Sequence, residues 1–333
     1  MSSTFPVIAA LDGSPDGLRA ATWAARAARR RDAALRLVHV WPYRSERAAR
    51  ETGRIEPLPE ENPVLAEGME VVCRIAPDVP VSTTTLRGMP REVLPELGRE
   101  ADLLVVGSRG LGGFRSLLLG SVGLAVASRA ACPVIVVRRP PQSRPRGWPR
   151  LAVHGERAEE AGGARAAGEG AAETDRDREL GLTERDPSAG PPVIVVGVDP
   201  DADSRRALSF AVEAAEGWGA RVHALTTWSW PVPPVPAFDP YLSPGFDADE
   251  INRDERQNLE RALAPVADAH PGVEVTAEVM PGDAAAQLVA ASAEADLLVL
   301  GRREPRGLLH PRLGPVGHAT LLHSECPVAV VPL

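Results

Sequence analysis

Two strongly apolar segments are followed by an aspartate, glycines and a serine. The types and spacing of these residues suit the binding of a phosphate. Asp12 ends the segment PVIAALD, and Gly107 and Gly110 come directly after ADLLVV. Gly120 and Ser121 then open the apolar stretch GSVGLAVAS. Glycine lets the backbone approach a ligand without a Cβ in the way. Free N–H groups at the start of a helix, with a serine hydroxyl beside them, favour an anion. The pattern therefore predicts a phosphate-binding loop.

Arginine is the only cation available to such a loop. All 37 basic residues are arginine, and Arg109 and Arg115 lie within the glycine-rich stretch. The absence of lysine excludes a Walker-type phosphate loop, a kinase-type ATP site and a Schiff-base enzyme. A plain connecting turn is the alternative to a phosphate site, because glycine-rich turns often follow buried strands.

Short apolar runs alternate with helical patterns along the chain and must position these residues. Strands that are apolar throughout, separated by helices, predict a parallel sheet covered on both faces. In such sheets ligands bind beyond the carboxyl ends of the strands, where the strand order reverses. If the strands before Asp12 and Gly107 are neighbours, both residues line that crevice. Ser14 is the candidate N-cap of the first helix, with Pro15 at its first position.

The chain contains an internal duplication, which defines a first and a second half. Asp12 and Asp199 end similar strands 187 residues apart, and Trp41 and Trp228 share that offset. An offset of 194 then relates the later landmarks: Gly88 and Gly282, ADLLVVG (101–107) and ADLLVLG (295–301), Gly120 and Gly314, ACPVIVV (131–137) and ECPVAVV (325–331). Constant offsets over several landmarks indicate a repeated domain.

The segment between the halves has no counterpart in the repeat. Apart from alanine, its only aliphatic residues are Leu151, Val153, Leu180 and Leu182. Such a composition buries too little surface to offset the entropy of ordering, so we expect a flexible charged linker; a regulatory segment is the alternative. The predicted domains are residues 1–140 and 191–333, joined by a linker over 141–190.

Composition restricts the class of protein. The net charge of −8 gives no indication of nucleic-acid binding, and no apolar run is long enough to cross a membrane. The N-terminus lacks the charged region of a signal peptide, so we expect a soluble cytoplasmic protein. Cys73, Cys132 and Cys326 lack metal-ligand spacing and are interpreted as buried thiols, without a disulfide or metal role.

The spacing Gly107-x2-Gly110-x9-Gly120-Ser121, after a buried strand and with Asp12 ending another, resembles the nucleotide-binding motif of the universal stress protein family. The resemblance covers both halves and leaves out only 141–190. It implies two tandem Rossmann-like domains, each a five-stranded parallel sheet of order 3-2-1-4-5 with helices on both faces. It also implies ATP between strands one and four, which magnesium or manganese can accompany through the phosphates.

The family motif assigns a role to each matching residue. Adenine and ribose are expected against Ala10, Leu11, Asp12 and Val40. Gly107 and Gly110 are expected along the ribose and phosphates. The phosphates are expected on Gly120, Ser121 and Val122.

The second half departs from the motif in two places. Glu304 stands where the second glycine is expected, and Pro315 stands where the serine is expected. A carboxylate repels a triphosphate, and proline removes both an N–H donor and the hydroxyl. Arg302, Arg303 and Arg306 could offset part of this loss. We therefore expect a degenerate second site.

Three functions are compatible with these features. The first is an ATP-binding module of stress response or signalling, in which the second half acts as a pseudo-dimer partner. The second is a slow ATPase, which would need a group to orient water; only Asp12 is at hand, and it is assigned to the nucleoside. The third is a nucleotide-free dimerisation scaffold. We expect ATP binding without efficient hydrolysis. We also expect the two halves to pair within one chain through their apolar terminal strands. A homodimer is a further alternative.

Overall fold

The computed structural model describes residues 5–41, 61–110, 119–138, 180–181, 190–199, 204–229, 247–303 and 313–333. Strands and helices alternate in both halves, as the apolar pattern predicts. The first half contains β1 (Val7–Leu11), α1 (Pro15–Arg31), β2 (Leu35–Trp41), α2 (Pro63–Ile75), β3 (Val81–Arg87), α3 (Pro90–Glu96) with the 3-10 turn Leu97–Arg99, β4 (Leu103–Gly107), α4 (Ser121–Arg129) and β5 (Val134–Val137). The second half contains β6 (Val193–Gly197), α5 (Arg205–Trp218), β7 (Arg221–Trp228), α6 (Ala248–Ala269), β8 (Val275–Pro281), α7 (Ala284–Ala291), β9 (Leu297–Arg302), α8 (Pro315–His323) and β10 (Val328–Pro332).

All the strands belong to one ten-stranded sheet of order β3-β2-β1-β4-β5-β10-β9-β6-β7-β8. Within each half the strands are parallel and follow the order 3-2-1-4-5, which confirms the predicted fold. The halves meet where β5 runs antiparallel to β10. Strand order therefore reverses between β1 and β4, and again between β6 and β9.

The pairing of β5 with β10 has the register of a local twofold axis. Ile135 lies opposite Ala329, and the neighbouring pairs are Val134 with Val330 and Val136 with Val328. Because the repeat offset of 194 makes Ala329 the counterpart of Ile135, this pair lies at the centre of the relation. Both side chains are fully buried.

The same relation governs the contact between α1 and α5. The rings of Trp23 and Trp218 meet edge to face, with centroids 5.8 Å apart. The Arg31 guanidinium lies over the Phe210 ring, 5.4 Å from its centroid. By the 187-residue offset, Trp23 corresponds to Phe210 and Arg31 to Trp218. The two contacts therefore join equivalent positions across the local twofold axis, although the residue types at those positions differ.

Two arginines also cross between the halves to the ends of helices. The Arg138 guanidinium donates to the carbonyl of Leu321 in the last turn of α8, at 2.7 Å. Arg302 donates to the carbonyl of Ala130, which follows the last residue of α4, at 2.6 Å. A cation at a helix C-terminus is stabilising because unpaired carbonyls and the helix dipole both favour positive charge.

A hydrophobic cluster covers each face of the sheet and runs through both halves. On one face α1 packs through alanines, of which Ala20, Ala21, Ala24, Ala25 and Ala28 are fully buried. These small side chains let the helix lie close to the sheet. Among the described residues, none of the helices has the length and apolar character needed to cross a membrane.

One described residue of the segment between the halves is buried. Leu180 is 5% exposed and clusters with Leu18 of α1 and Val71 of α2. Most of residues 141–190 lie outside the described part of the chain. The predicted domain boundaries therefore stay a prediction.

The alanine face of α1 generates a test of packing. Replacing Ala24 by leucine should lower the free energy of unfolding by about 1–3 kcal/mol, because a close-packed helix face has no room for the added atoms. Urea unfolding followed by circular dichroism measures the loss. Ala34→Leu, at an exposed position, is the matched control and should change little. Equal stability of the two variants would contradict the close packing of α1.

Candidate functional site

The predicted site residues lie along one edge of the sheet, at the carboxyl ends of β1, β2 and β4. Ala10 is opposite Val38 on one side and Val106 on the other. The chain positions after these residues, including Asp12 and Gly107, therefore reach the same edge. This is the crevice that the reversal of strand order predicts.

The backbone of the glycine-rich loop lies against the end of β1. A Cβ on Gly110 would overlap Oδ2 of Asp12, so the carboxylate and the Gly110 backbone adjoin. Gly120 is held at the same place because its N–H donates to the carbonyl of Ser108 at 2.7 Å. The loop residues 111–118 lie outside the described part, including Arg115.

Leu11 and Val40 can approach a ligand only through their backbones. Their side chains are 4% and 5% exposed and pack in the two core clusters. The Leu11 carbonyl accepts a hydrogen bond from Nδ1 of His39 at 2.8 Å. In the second half Thr226, the counterpart of His39, donates to the corresponding carbonyl of Val198 at 2.9 Å. These bonds hold the end of the first strand in both halves, and no sequence pattern singles out His39.

The first turn of α1 carries polar side chains toward the loop. Ser14 is the N-cap, as predicted: its Oγ accepts from the N–H of Gly17 at 3.1 Å. The same hydroxyl lies 2.5 Å from Oδ1 of Asp12 and 3.2 Å from the carbonyl oxygen of Arg109. The cap therefore joins the helix to Asp12 and to the loop.

Asp16, two residues later, binds the loop more directly. Its Oδ2 accepts from the Ser108 hydroxyl at 2.7 Å and from the Arg109 N–H at 3.1 Å. Its Oδ1 forms an ion pair with Arg19. Asp16, Arg19 and Ser108 are 8%, 5% and 2% exposed. None of the three was predicted, because an aspartate in the first turn of a helix is ordinary and its partner Ser108 is 92 residues away.

The N-terminus of α4 faces the same edge. Gly120 is its N-cap residue and has no side chain that could cap the helix. The first N–H groups of a helix have no partner within it, and they favour an anion. Ser121 is exposed, and Val122 is partly exposed. The start of α4 can therefore receive a phosphate.

The corresponding edge of the second half differs in its described residues. Asp199, the counterpart of Asp12, forms an ion pair with Arg303, the counterpart of Arg109; the side chains are 51% and 65% exposed. Pro315 occupies the first turn of α8. Arg302 stands at the position of Ser108 but donates to Ala130 in the other half. Glu304 and Arg306 lie outside the described residues.

Other reactive groups lie apart from this edge. Burial raises the pKa of the Cys132 thiol to about 12 and that of the Cys326 thiol also to about 12, so both stay protonated at neutral pH. Cys73 is exposed. Within the described ranges, no group of three His, Cys, Asp or Glu side chains could hold a metal ion.

Gly107 and Gly120 differ in the space that the surrounding atoms leave for a Cβ. A Cβ on Gly107 would lie 2.7 Å from the carbonyl carbon of Asp16 and 2.8 Å from its oxygen, closer than backbone atoms allow. Gly107 thus lets β4 approach α1, and the approach of its backbone to a ligand stays a prediction. A Cβ on Gly120 would meet its nearest atom, the Ser108 carbonyl oxygen, at 3.5 Å, an ordinary contact.

The glycines generate a test of stability. Gly107→Ala should lower the free energy of unfolding by about 1–3 kcal/mol, because the added methyl displaces the first turn of α1. Gly301→Ala is the matched variant of the second half, where the methyl meets only the Leu333 side chain, at 2.9 Å. That side chain can move, so the loss should be smaller. Thermal unfolding compares the two, and a larger loss for Gly301→Ala would contradict the assigned contact.

Comparison with known proteins agrees with this fold. Two universal stress proteins of Mycobacterium tuberculosis are each 26% identical to the chain. One aligns over 97% of this chain and 96% of its own length, the second over 99% and 97%. The crystal structure of a universal stress protein from Archaeoglobus fulgidus superposes with a TM-score of 0.59 at 14% identity, covering 98% of both chains.

The sequence model of the universal stress protein family matches residues 5–138 and again residues 192–332. Each match spans one of the two five-stranded units of the sheet. The chain therefore belongs to the universal stress protein family and carries two copies of its domain.

Proposed function

We propose that the chain is an ATP-binding module of stress response or signalling whose nucleotide is held at the edge of the first half. The observation that carries the proposal is the start of α4. It opens without a side-chain cap beside Gly110 and Asp12, at a reversal of strand order. A helix N-terminus in that position suits a phosphate, and a carboxylate one strand away suits a hydroxyl.

The phosphates would be bound by the N–H groups of Ser121 and Val122 and by the Ser121 hydroxyl. Arg109 is exposed beside them and adds positive charge. The nucleoside would lie toward β1 and β2. There Asp12 would accept hydrogen bonds from the ribose, and adenine would contact the backbones of Ala10, Leu11 and Val40. A divalent ion, where present, would be held by the phosphates.

The first half is proposed to bind the nucleotide more tightly than the second. The ion pair between Arg303 and Asp199 occupies the second carboxylate. Pro315 removes one of the N–H donors at the start of α8. Each hydrogen bond lost to a charged ligand costs roughly 1.5–3 kcal/mol. These losses support weak binding or none in the second half.

Binding without efficient hydrolysis is the favoured form of this function. Hydrolysis needs a group that orients water and charge that stabilises the transition state. Of the described carboxylates beside the loop, Asp12 is assigned to the ribose. Asp16 is already bonded to Arg19, Ser108 and the Arg109 N–H. A slow ATPase is the second candidate, and phosphate release under single-turnover conditions distinguishes it.

Titration calorimetry with ATP should find one tight site per chain. Gly120→Glu should weaken it at least a hundredfold, about 2.7 kcal/mol, because it places a carboxylate at the phosphate position. A Cβ at Gly120 would make only ordinary contacts with its nearest atoms, at 3.5 Å or more, so the fold should survive. Gly314→Glu, the same change at the counterpart position, is the matched control and should leave the affinity unchanged. Two equal sites that persist in Gly120→Glu would contradict the proposal.

The two halves are proposed to pair in solution as they do in the sheet. The antiparallel register of β5 with β10 and the contacts between α1 and α5 support this. An apolar strand such as β5 would otherwise be an exposed edge, which favours aggregation. The second half would thus stabilise the first whether or not it binds a ligand.

Residues 1–140 and 191–333, produced as separate chains, should elute together as a 1:1 complex. Ile135→Lys should prevent this, because it buries a charge at the centre of the β5–β10 pair. Ser82→Lys, on the exposed side of the edge strand β3, is the matched control and should still give the complex. Circular dichroism checks that each variant is folded. Wild-type halves that elute as independent monomers would contradict the pairing.

A further inference from the structure

We propose that Asp16 is a positioning residue that holds residues 107–110 in the conformation that receives the phosphates of a nucleotide. The proposal rests on the proposed function of this edge and adds a residue that the family motif did not assign here. Asp16 does not contact the ligand itself. It acts through the backbone of the loop.

The contacts of Asp16 are those of a clamp between two distant parts of the chain. Through Oδ2 it accepts from Ser108 Oγ at 2.7 Å and from Arg109 N at 3.1 Å. Through Oδ1 it pairs with Arg19, which orients the carboxylate. Asp16, Arg19 and Ser108 are all buried residues. Solvent therefore competes little for these hydrogen bonds.

The first turn of α1 holds the Arg109 residue from both sides. Asp16 accepts from its N–H, and the Ser14 hydroxyl lies 3.2 Å from its carbonyl oxygen. Ser108, the residue before it, is bonded through its N–H to Val137 and through its carbonyl to the N–H of Gly120. The clamp thus fixes Gly120, the start of α4, relative to α1. It also takes the Arg109 N–H away from the ligand, so the phosphates are left to Gly110 and the α4 N-terminus.

Because Asp16 is negatively charged, positioning of the loop and simple electrostatics predict opposite changes in ATP affinity when it is replaced. A carboxylate near an anion site opposes binding, and Arg19 compensates it. Asp16→Asn removes the negative charge and leaves the Arg19 charge. Electrostatics alone therefore predicts tighter binding of ATP by this variant. Loss of positioning predicts weaker binding, because the loop donors are no longer held in place.

The second half lacks the same clamp in its described residues. Arg302 replaces Ser108 there and extends to Ala130 of the other half. It therefore supplies no hydroxyl at this position, and Asp203, the counterpart of Asp16, lies outside the described residues. The half proposed to bind nucleotide poorly is thus the half in which the serine of this clamp is replaced.

The test uses the full-length chain and calorimetry with ATP and with adenosine. Asp16→Ala should bind ATP about tenfold more weakly or worse, which corresponds to about 1.4 kcal/mol. Asp16→Asn should lie between this variant and the wild type, because its amide oxygen still accepts one bond. The affinity for adenosine, which has no phosphates, should fall less in both variants. Glu92→Gln removes an exposed carboxylate of α3 in the same half and is the matched control. Binding of ATP to Asp16→Asn as tight as, or tighter than, that of the wild type would overturn the proposal.

Hydrogen exchange without ligand separates this proposal from the proposed function. The amides of residues 107–110 should exchange faster in Asp16→Ala than in the wild type or Glu92→Gln. The amides of β10 serve as the internal reference and should keep their rates. If wild type binds neither ATP nor adenosine, the proposed function fails, and exchange alone decides on the clamp. Unchanged exchange at 107–110, or an equal rise at β10, would overturn it.

Discussion

The close approach of the first turn of α1 to the end of β4 is the constraint on which the candidate site depends. Gly107 permits it, because a Cβ at this position would collide with the Asp16 backbone. Once the two segments meet, the hydrogen bonds of Asp16 and Ser14 determine the course of the loop. The loop then sets the position of Gly120 and the start of α4. The contact of Gly107 with the Asp16 backbone and the buried ion pair of Asp16 with Arg19 thus position the loop without any ligand.

The two halves show which parts of the domain the fold requires and which parts the site requires. Strand order, both core clusters and the bond to the carbonyl at the end of the first strand occur in each half. The contacts of the loop differ between the halves at the residues that the structure describes. Arg303 pairs with Asp199, and Arg302 has become part of the contact between the halves. The same strand order therefore forms in both halves although these described contacts differ.

Much of the fold could be predicted from the sequence because its signals are local. Short β-branched runs, the Ser14-Pro15 start of α1 and the constant repeat offsets indicate the elements, their order and the duplication. The edge that carries Asp12 and Gly107 follows from the parallel topology alone. The contacts within that edge could not be predicted. Asp16 and Ser108 are ordinary residues until the chain brings them together across 92 positions, and nothing in the sequence indicates that the first turn of α1 fills the space beside Gly107.

The paired contacts between α1 and α5 have a consequence for how such a chain can change. In a dimer of identical subunits, every substitution at the twofold interface occurs twice, so a favourable change must suit both copies of the contact. Here Trp23 meets Trp218 on one side, while Phe210 meets Arg31 on the other. Because the two positions are encoded separately, one contact could become a pair of indole rings and the other an arginine over a phenyl ring. Duplication within one chain turns a symmetric interface into two independently inherited ones, so the two domains can diverge in sequence while they keep the same geometry.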